Sequence, residues 1–503
     1  MRKISSILAT QHPDNASAPY WESDGDGFVS ISEELREAMS CYQDLGVDEF
    51  MWDWEGKYAD EAVIDKLFSE HYKFFKDNQL GKEKFLTFRL PNIWLEKGYS
   101  LLRALLVILT SEDFAKDLKF RSRPLFEVIL PMTEKAEQLV YIQDCFTKLA
   151  RFKSREFEHQ KNVNSDYLEI IPLVEDVKFQ ANIRKLLDDY FALYKKRFKR
   201  KPEYLRVFLA RSDPAMLSGL VANVLANKIA LSELKHFENE TGVAMYPIIG
   251  VGSLVFRGGF NPKNVHNFIK EYAGVRTVTM QSACRYDYPL DEVKKTVRVL
   301  EEKLPSTEAV LLSKTETKTL RTVIGKFEKV YQSTLVRVVK DMVPFFDSVP
   351  KRRERKLHIG FLAYKRKIGG NYLPRAISFT SAFYSLGVPP EFIGLGQALK
   401  ALSIKERELV FRHYINLEKD IAEAGKYVNK DNLKILCRKN KAWQAVEKSI
   451  AHVENIFGIE LGPKTKEEWL HKNISGNVLL LKNDTAELKK LIIATGKIRK
   501  SLG

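Results

Sequence analysis

Residues 170–177, IIPLVEDV, and 206–215, RVFLARSDPA, each run an apolar strand pattern straight into a carboxylate, Glu175 in the first and Asp213 in the second. A buried strand that delivers an acid at its C-terminal end is how a parallel α/β barrel builds a site, and two such acids from consecutive strands can share one divalent cation. Hard oxygen donors without histidine or cysteine beside them favour Mg²⁺ or Mn²⁺ over zinc. The other reading of the same residues is helix capping, and Asp213-Pro214 has the form of an N-cap followed by proline at the first helical position.

Further chemistry-bearing residues fall just after predicted strands. His12 stands in Gln11-His12-Pro13-Asp14-Asn15, where proline stiffens the turn and polar neighbours surround the ring. Asp53-Trp54-Glu55-Gly56-Lys57 reads either as part of a site or as a capped turn into a helix near Ala59. Arg89 interrupts an apolar strand, so its charge must face a ligand or be paired, with Glu127 as a candidate partner. Small residues from Gly250 to Gly259 let the backbone approach a ligand, and Arg257 among them offers a bidentate fork for phosphate or carboxylate. Arg285 follows the eighth strand towards the same rim. The basic, glycine-rich stretch from Lys365 to Gly370, with Arg375 beyond it, reads as a closing loop or as a plain surface turn.

The elements that must position these groups are eight runs rich in β-branched or aromatic residues, at 4–10, 47–53, 84–90, 123–130, 167–174, 204–210, 244–250 and 276–281. Helical patterns at 32–45, 59–78, 135–152 and 177–198 fill gaps between them. Alternating strands and helices imply right-handed crossovers and a parallel sheet, which eight units close. The expected fold is therefore α/β: a (β/α)8 TIM-type barrel over 1–290, followed over 291–503 by a large, mostly helical C-terminal region with helices at 290–303, 308–343, 371–386, 404–425, 429–438 and 440–456.

With 503 residues, 45% of them hydrophobic, the chain can bury a large core without staples. Cys41, Cys145, Cys284 and Cys437 are widely scattered with no CxxC or HxxxH pairing, so neither a disulfide framework nor a zinc site is suggested, and a reducing cytosol fits. No signal peptide or membrane span is legible. The net charge of +16 raises nucleic acid as a partner, but its dispersion argues against one. Basic runs such as Lys195 to Lys201 and Lys351 to Lys356 read as solvated faces.

Taken together, the motifs resemble phosphoenolpyruvate carboxylase, in its short archaeal-type branch, along the whole chain. Thr10 to Asn15 resembles that branch's opening signature, Phe88-Arg89-Leu90 the segment with an active-site arginine, and the Glu175 and Asp213 strands the two metal-binding segments. The Gly250 to Gly259 loop is similar to the family's glycine-rich loop, residues 359–375 to a further arginine-bearing region, and Arg499 to Gly503 to a C-terminal tail that folds back on the active face. Val251 and Leu362 stand where the long enzymes carry arginine, so one anion contact must come from elsewhere, with Arg285 the candidate.

The resemblance implies that phosphoenolpyruvate and bicarbonate become oxaloacetate and inorganic phosphate. It assigns Mg²⁺, or Mn²⁺, to Glu175 and Asp213, and catalytic roles to His12, Arg89, Arg257, Arg285 and Arg375. Substrate contacts go to those four arginines with Gly258, Gly259 and Arg366, and lid roles to the 358–375 loop and the tail. It also implies a cytoplasmic homotetramer with neither nucleic acid nor membrane as partner. Two rival readings are another Mg²⁺-dependent barrel lyase or mutase that handles an enolate, and a basic RNA-binding or scaffold protein.

Overall fold

The structure, a computed structural model, describes residues 2–22, 25–96, 98–157, 166–354 and 366–503. Eight strands form the barrel: β1 (Ile7–Thr10), β2 (Glu49–Asp53), β3 (Phe85–Arg89), β4 (Glu127–Leu130), β5 (Glu169–Val174), β6 (Phe208–Ala210), β7 (Ile248–Gly250) and β8 (Thr277–Met280). Each pairs in parallel with its neighbour in sequence, and β8 closes on β1, as the expected eight-stranded barrel requires. The sixth and seventh runs are broken. Tyr204–Leu205 and Ala244–Met245 pair with each other outside the barrel before the chain enters it. Arg206, in the first of these breaks, is buried against Glu49 and Glu127, the opening residues of β2 and β4, and Arg2 binds the same two carboxylates. This cluster seals the N-terminal mouth, the face of such a barrel that serves stability.

Every second residue of a strand points inward. Leu8, Met51, Ile129, Ile171, Leu173, Phe208, Ala210 and Ile248 fill the interior, while Phe50, Trp52, Val128, Ile170 and Leu209 pack outward beneath the helices. One more step of that alternation past Met51 lands on Asp53, and one past Leu173 lands on Glu175. The register that buries the apolar layer thereby aims charged residues at the C-terminal mouth.

The helix Leu290–Lys303 packs against β1 and against the helix Val265–Glu271, and so completes the eighth barrel unit. Beyond it, among the described residues, the extended pairings are the hairpin Lys367–Ile368 with Asn371–Tyr372 and a bridge from Arg353 to Val29. The long helix Lys314–Val338 starts at a Ser313–Glu316 capping box and lies on the helix Leu220–Thr241. A second core forms there, in which Val221, Leu225 and Ile229 of the barrel half meet Leu320, Phe327, Phe379 and Trp443. The barrel and the helical region are thus fastened through shared apolar packing.

Some helices differ from the expected ones. The run at 59–78 divides into Val63–Glu70 and Tyr72–Asp77 because His71 leaves helical geometry. The run at 404–425 divides into Ile404–His413 and Leu417–Gly425 around Tyr414. Lys466–Leu480 and Thr485–Arg499 are additional helices, and their apolar side chains are spread around the axis instead of forming one stripe. No helix among the described residues is long and apolar enough to cross a membrane.

Candidate active site

At the C-terminal mouth lies a cavity of about 180 Å³ lined by His12, Glu55, Arg89, Glu175, Asp213, Arg257, Arg366 and Arg375. Residues from six barrel units therefore meet residues from the helical region. The capping alternative for the two acids fails. Asp176, not Glu175, caps the next helix, accepting from the Lys178 and Phe179 amides at 2.8 and 3.2 Å. Asp213 lies inside the first turn of Ser212–Ser218, whose N-cap is Arg211. Neither carboxylate is spent on a helix cap, and both line the cavity.

Burial, with the neighbouring carboxylates of Glu55 and Asp213, pushes the Glu175 carboxyl up to about 8, against the pull of Arg89 and Arg366. Its Oε2 accepts the Met132 amide at 2.9 Å. Burial also pushes Asp213 up, but Arg366, Arg375 and Arg257 outweigh it and hold the carboxyl below its ordinary value. Arg366 forks Asp213, with Nε to Oδ1 at 2.9 Å and Nη2 to Oδ2 at 3.1 Å. A second cavity, of about 170 Å³ and lined by Trp94, Met132, Phe179 and Leu217, shares Glu175, Asp213 and Arg366 with the first.

These residues fit a hard divalent cation. Two carboxylates that repel one another across the wall of a cavity gain most from a cation between them. Among the described residues no group of three or more acids, histidines or cysteines is placed to hold a metal ion by itself. A two-carboxylate set that leaves the remaining positions to water and substrate oxygens is the Mg²⁺ pattern.

Arg257 is buried and spends four of its five N–H groups within the protein: it donates to Ser212 Oγ at 3.1 Å, Asp14 Oδ2 at 3.0 Å and Gln281 Oε1 at 2.5 Å, and to the Gly503 carbonyl. The tail thus folds back onto the active face, where the Leu502 amide donates to the Asp14 carbonyl at 2.7 Å. A β-carbon on Gly252 would lie 2.8 Å from the Arg257 guanidinium, and one on Gly258, at φ +122°, would lie 2.5 Å from a Val251 methyl. The glycines therefore shape the loop that carries Arg257. Gly258 and Gly259, expected as substrate contacts, do not line the cavity. His12 does line it, with Nδ1 placed 3.0 Å from Thr10 Oγ1.

Arg89 pairs with Asp53, at 2.9 and 2.6 Å, and with Glu55, at 2.8 Å. The Glu127 partner is corrected, because that residue opens β4 at the opposite mouth. Arg285 is likewise displaced from the site: it binds Glu37 at 2.7 Å and the Thr10 carbonyl at 2.9 Å, and it does not reach the cavity. Because it shares the fully buried Glu37 carboxylate with Arg353, which would remain, Arg285→Met is expected to cost about 1–3 kcal/mol of stability. Thermal denaturation should show a marked fall in midpoint, with kcat/KM of the folded enzyme near wild type. Lost turnover at an unchanged midpoint would put Arg285 back in the site.

The described part of the Lys351 to Lys356 run, 351–354, is not a plain solvated face. Lys351, Arg352 and Arg353 line the cavity, and the two arginines are buried. Arg352 is held by the carbonyls of Asn15, Ala16 and Asp26, and Arg353 by Glu34 and Glu37. The available signal was the apolar Val349-Pro350 that leads into the run, which sets it on the protein and not on a helix face. Residues 355–365, with Leu362 and the first part of the 358–375 loop, lie outside the described residues.

A family model described as phosphoenolpyruvate carboxylase matches residues 4–503. The chain is 47% identical over 503 residues to a phosphoenolpyruvate carboxylase of Leuconostoc mesenteroides, covering 100% of this chain and 99% of that one. It is 36% identical to the protein of that name from Caldivirga maquilingensis and 34% identical to the one from Metallosphaera sedula, with 100% of both chains covered in each case.

Proposed function

The chain belongs to the phosphoenolpyruvate carboxylase family and converts phosphoenolpyruvate and bicarbonate to oxaloacetate and inorganic phosphate; we propose that Glu175, Asp213, His12 and the arginines at the barrel mouth carry out that reaction. The family uses a divalent metal, and the carboxylate pair supports Mg²⁺, with Mn²⁺ as substitute. When bound, the cation supplies Lewis-acid charge stabilisation for the substrate's oxygens. The observation that carries the reading is the pairing of Glu175 with Asp213 at one cavity wall, ringed by guanidinium groups.

The chemistry moves negative charge among oxygens. Bicarbonate attacks phosphorus to give carboxyphosphate and the enolate of pyruvate; carboxyphosphate yields carbon dioxide and phosphate, and the enolate carbon takes up the carbon dioxide. Arg89, Arg257, Arg366 and Arg375 hold phosphoryl and carboxylate groups in line and steady the developing charge. His12 takes the carboxyphosphate proton. Arg366, on the described end of the 358–375 loop, and the Arg499 to Gly503 tail cover the mouth and keep water from the enolate, whose protonation would waste the turnover as pyruvate. In this scheme residues 1–290 carry the metal acids and 291–503 supply the cover, within a cytoplasmic homotetramer that replenishes four-carbon acids.

Oxaloacetate formation from phosphoenolpyruvate, with and without bicarbonate and with and without Mg²⁺, tests the reading. Product is expected only when both are present. A bicarbonate-independent turnover would favour a lyase or mutase, and salt-sensitive RNA retention without turnover would favour a binding protein.

A further inference from the structure

The cavity is lined by more cationic than anionic side chains, yet most of that positive charge is already answered within the protein. Arg89 meets Asp53 and Glu55, Arg257 meets Asp14, Arg353 meets Glu34 and Glu37, and Arg366 meets Asp213. Arg352 spends its donors on backbone carbonyls, and Arg375 also interacts within the protein. Lys351 differs: it lines the same cavity, is exposed, and has no hydrogen-bond or ion-pair partner among the described residues. The substrates are anions, one of them a phosphate ester. A guanidinium neutralised by its own carboxylate still donates spare N–H groups but adds little net charge, whereas an unpaired ammonium adds a full charge and three donors.

The mounting of Lys351 suits that use. Pro350 precedes it, and the next residue, Arg352, is buried with its guanidinium on the Asn15 and Ala16 carbonyls at 3.3 and 2.8 Å. The Arg352 carbonyl accepts the Val29 amide at 3.0 Å. The root of Lys351 is therefore pinned to the turn that carries His12, while its four-carbon side chain is exposed where it lines the cavity.

We propose that Lys351 is a substrate-binding residue whose ammonium captures the phosphoryl oxygens of the incoming phosphoenolpyruvate and contacts the phosphate that is released. The assignment rests on the carboxylase reading of the site. In Lys351→Gln, the KM for phosphoenolpyruvate and the inhibition constant of inorganic phosphate should each rise about tenfold or more, as expected for loss of a charged hydrogen bond. The kcat should stay within a few-fold, since binding shared by ground and transition states sets KM. Lys351→Arg should recover most of the loss. Independently of turnover, inorganic phosphate should slow reductive methylation of Lys351 in the wild-type protein, read by mass spectrometry, where chloride at equal ionic strength does not.

Unchanged KM and phosphate inhibition in Lys351→Gln, or methylation of Lys351 indifferent to phosphate, would overturn the assignment and leave the carboxylase reading standing. Protection by phosphate in a protein that forms no oxaloacetate would do the reverse, sustaining the anion site and removing the proposed reaction.

Discussion

Asp213→Asn should lower oxaloacetate formation by about 10³-fold or more, with the fold intact and Mn²⁺ affinity strongly reduced. The size follows from the several kcal/mol of charge stabilisation that a bound cation contributes, since about 4 kcal/mol is a factor of about 10³. The fold should tolerate the change because the Asp213 side chain is 21% exposed and its ion pair is with Arg366, at the edge of the cavity and not in a core. An amide keeps one oxygen for Arg366 while removing the charge that a hard cation needs. Glu175→Gln should act in the same direction, and there the amide also relieves the burial cost and the repulsion from Glu55 and Asp213 that together raise the carboxyl to about 8. Electron paramagnetic resonance of Mn²⁺ beside a steady-state assay separates binding from chemistry. Turnover within a few-fold of wild type, at unaltered Mn²⁺ affinity, would take both residues out of the metal site.

Glu175 was legible because the rule that reveals it is local, whereas Asp213, three residues beyond the inward-facing Ala210 and inside the first turn of Ser212–Ser218, follows no such period. Glu175 stands two residues beyond Leu173 and four beyond Ile171, so the period that buries the strand also fixes the direction of the acid. The same holds for Asp53 beyond Met51. What the sequence concealed is pairing between distant segments. Arg285 looked like a rim arginine because it follows β8, yet Glu37, on the helix Glu34–Gln43, engages it from a part of the chain that no spacing rule connects to it. Arg352 and Arg353 looked solvated because a basic run carries no mark of the carbonyls and carboxylates that wait for it across the cleft. The loop glycines were read as ligand contacts, whereas their small size is used inside the loop, where Gly252 makes room for Arg257 and Gly258 for Val251. Sequence periodicity therefore gives the barrel and the direction of its inward residues. Which arginines keep charge for a substrate depends on partners far away in the chain.

His12→Asn is expected to change the product as well as the rate. The ring lines the cavity, and Nδ1 lies 3.0 Å from the Thr10 hydroxyl, which fixes its orientation. The turn that carries it is immobilised from behind, since Ser282 Oγ bonds the His12 carbonyl at 2.7 Å and Arg257 bonds Asp14 at 3.0 Å. Asparagine can keep a polar contact to Thr10 but has no group that accepts a proton near neutral pH. Removal of a positioned general base costs about 10²–10⁴-fold, so oxaloacetate formation should fall by at least about 10²-fold. Cleavage of phosphoenolpyruvate, which relies on the arginines and the cation, should fall less. The enolate then outlives the supply of carbon dioxide beside it and is protonated, so pyruvate accumulates where oxaloacetate did. Parallel assays coupled to malate dehydrogenase and lactate dehydrogenase measure the partition directly. An unchanged product ratio together with unchanged turnover would remove His12 from the proton transfer and leave the guanidinium groups and the cation to account for both halves of the reaction.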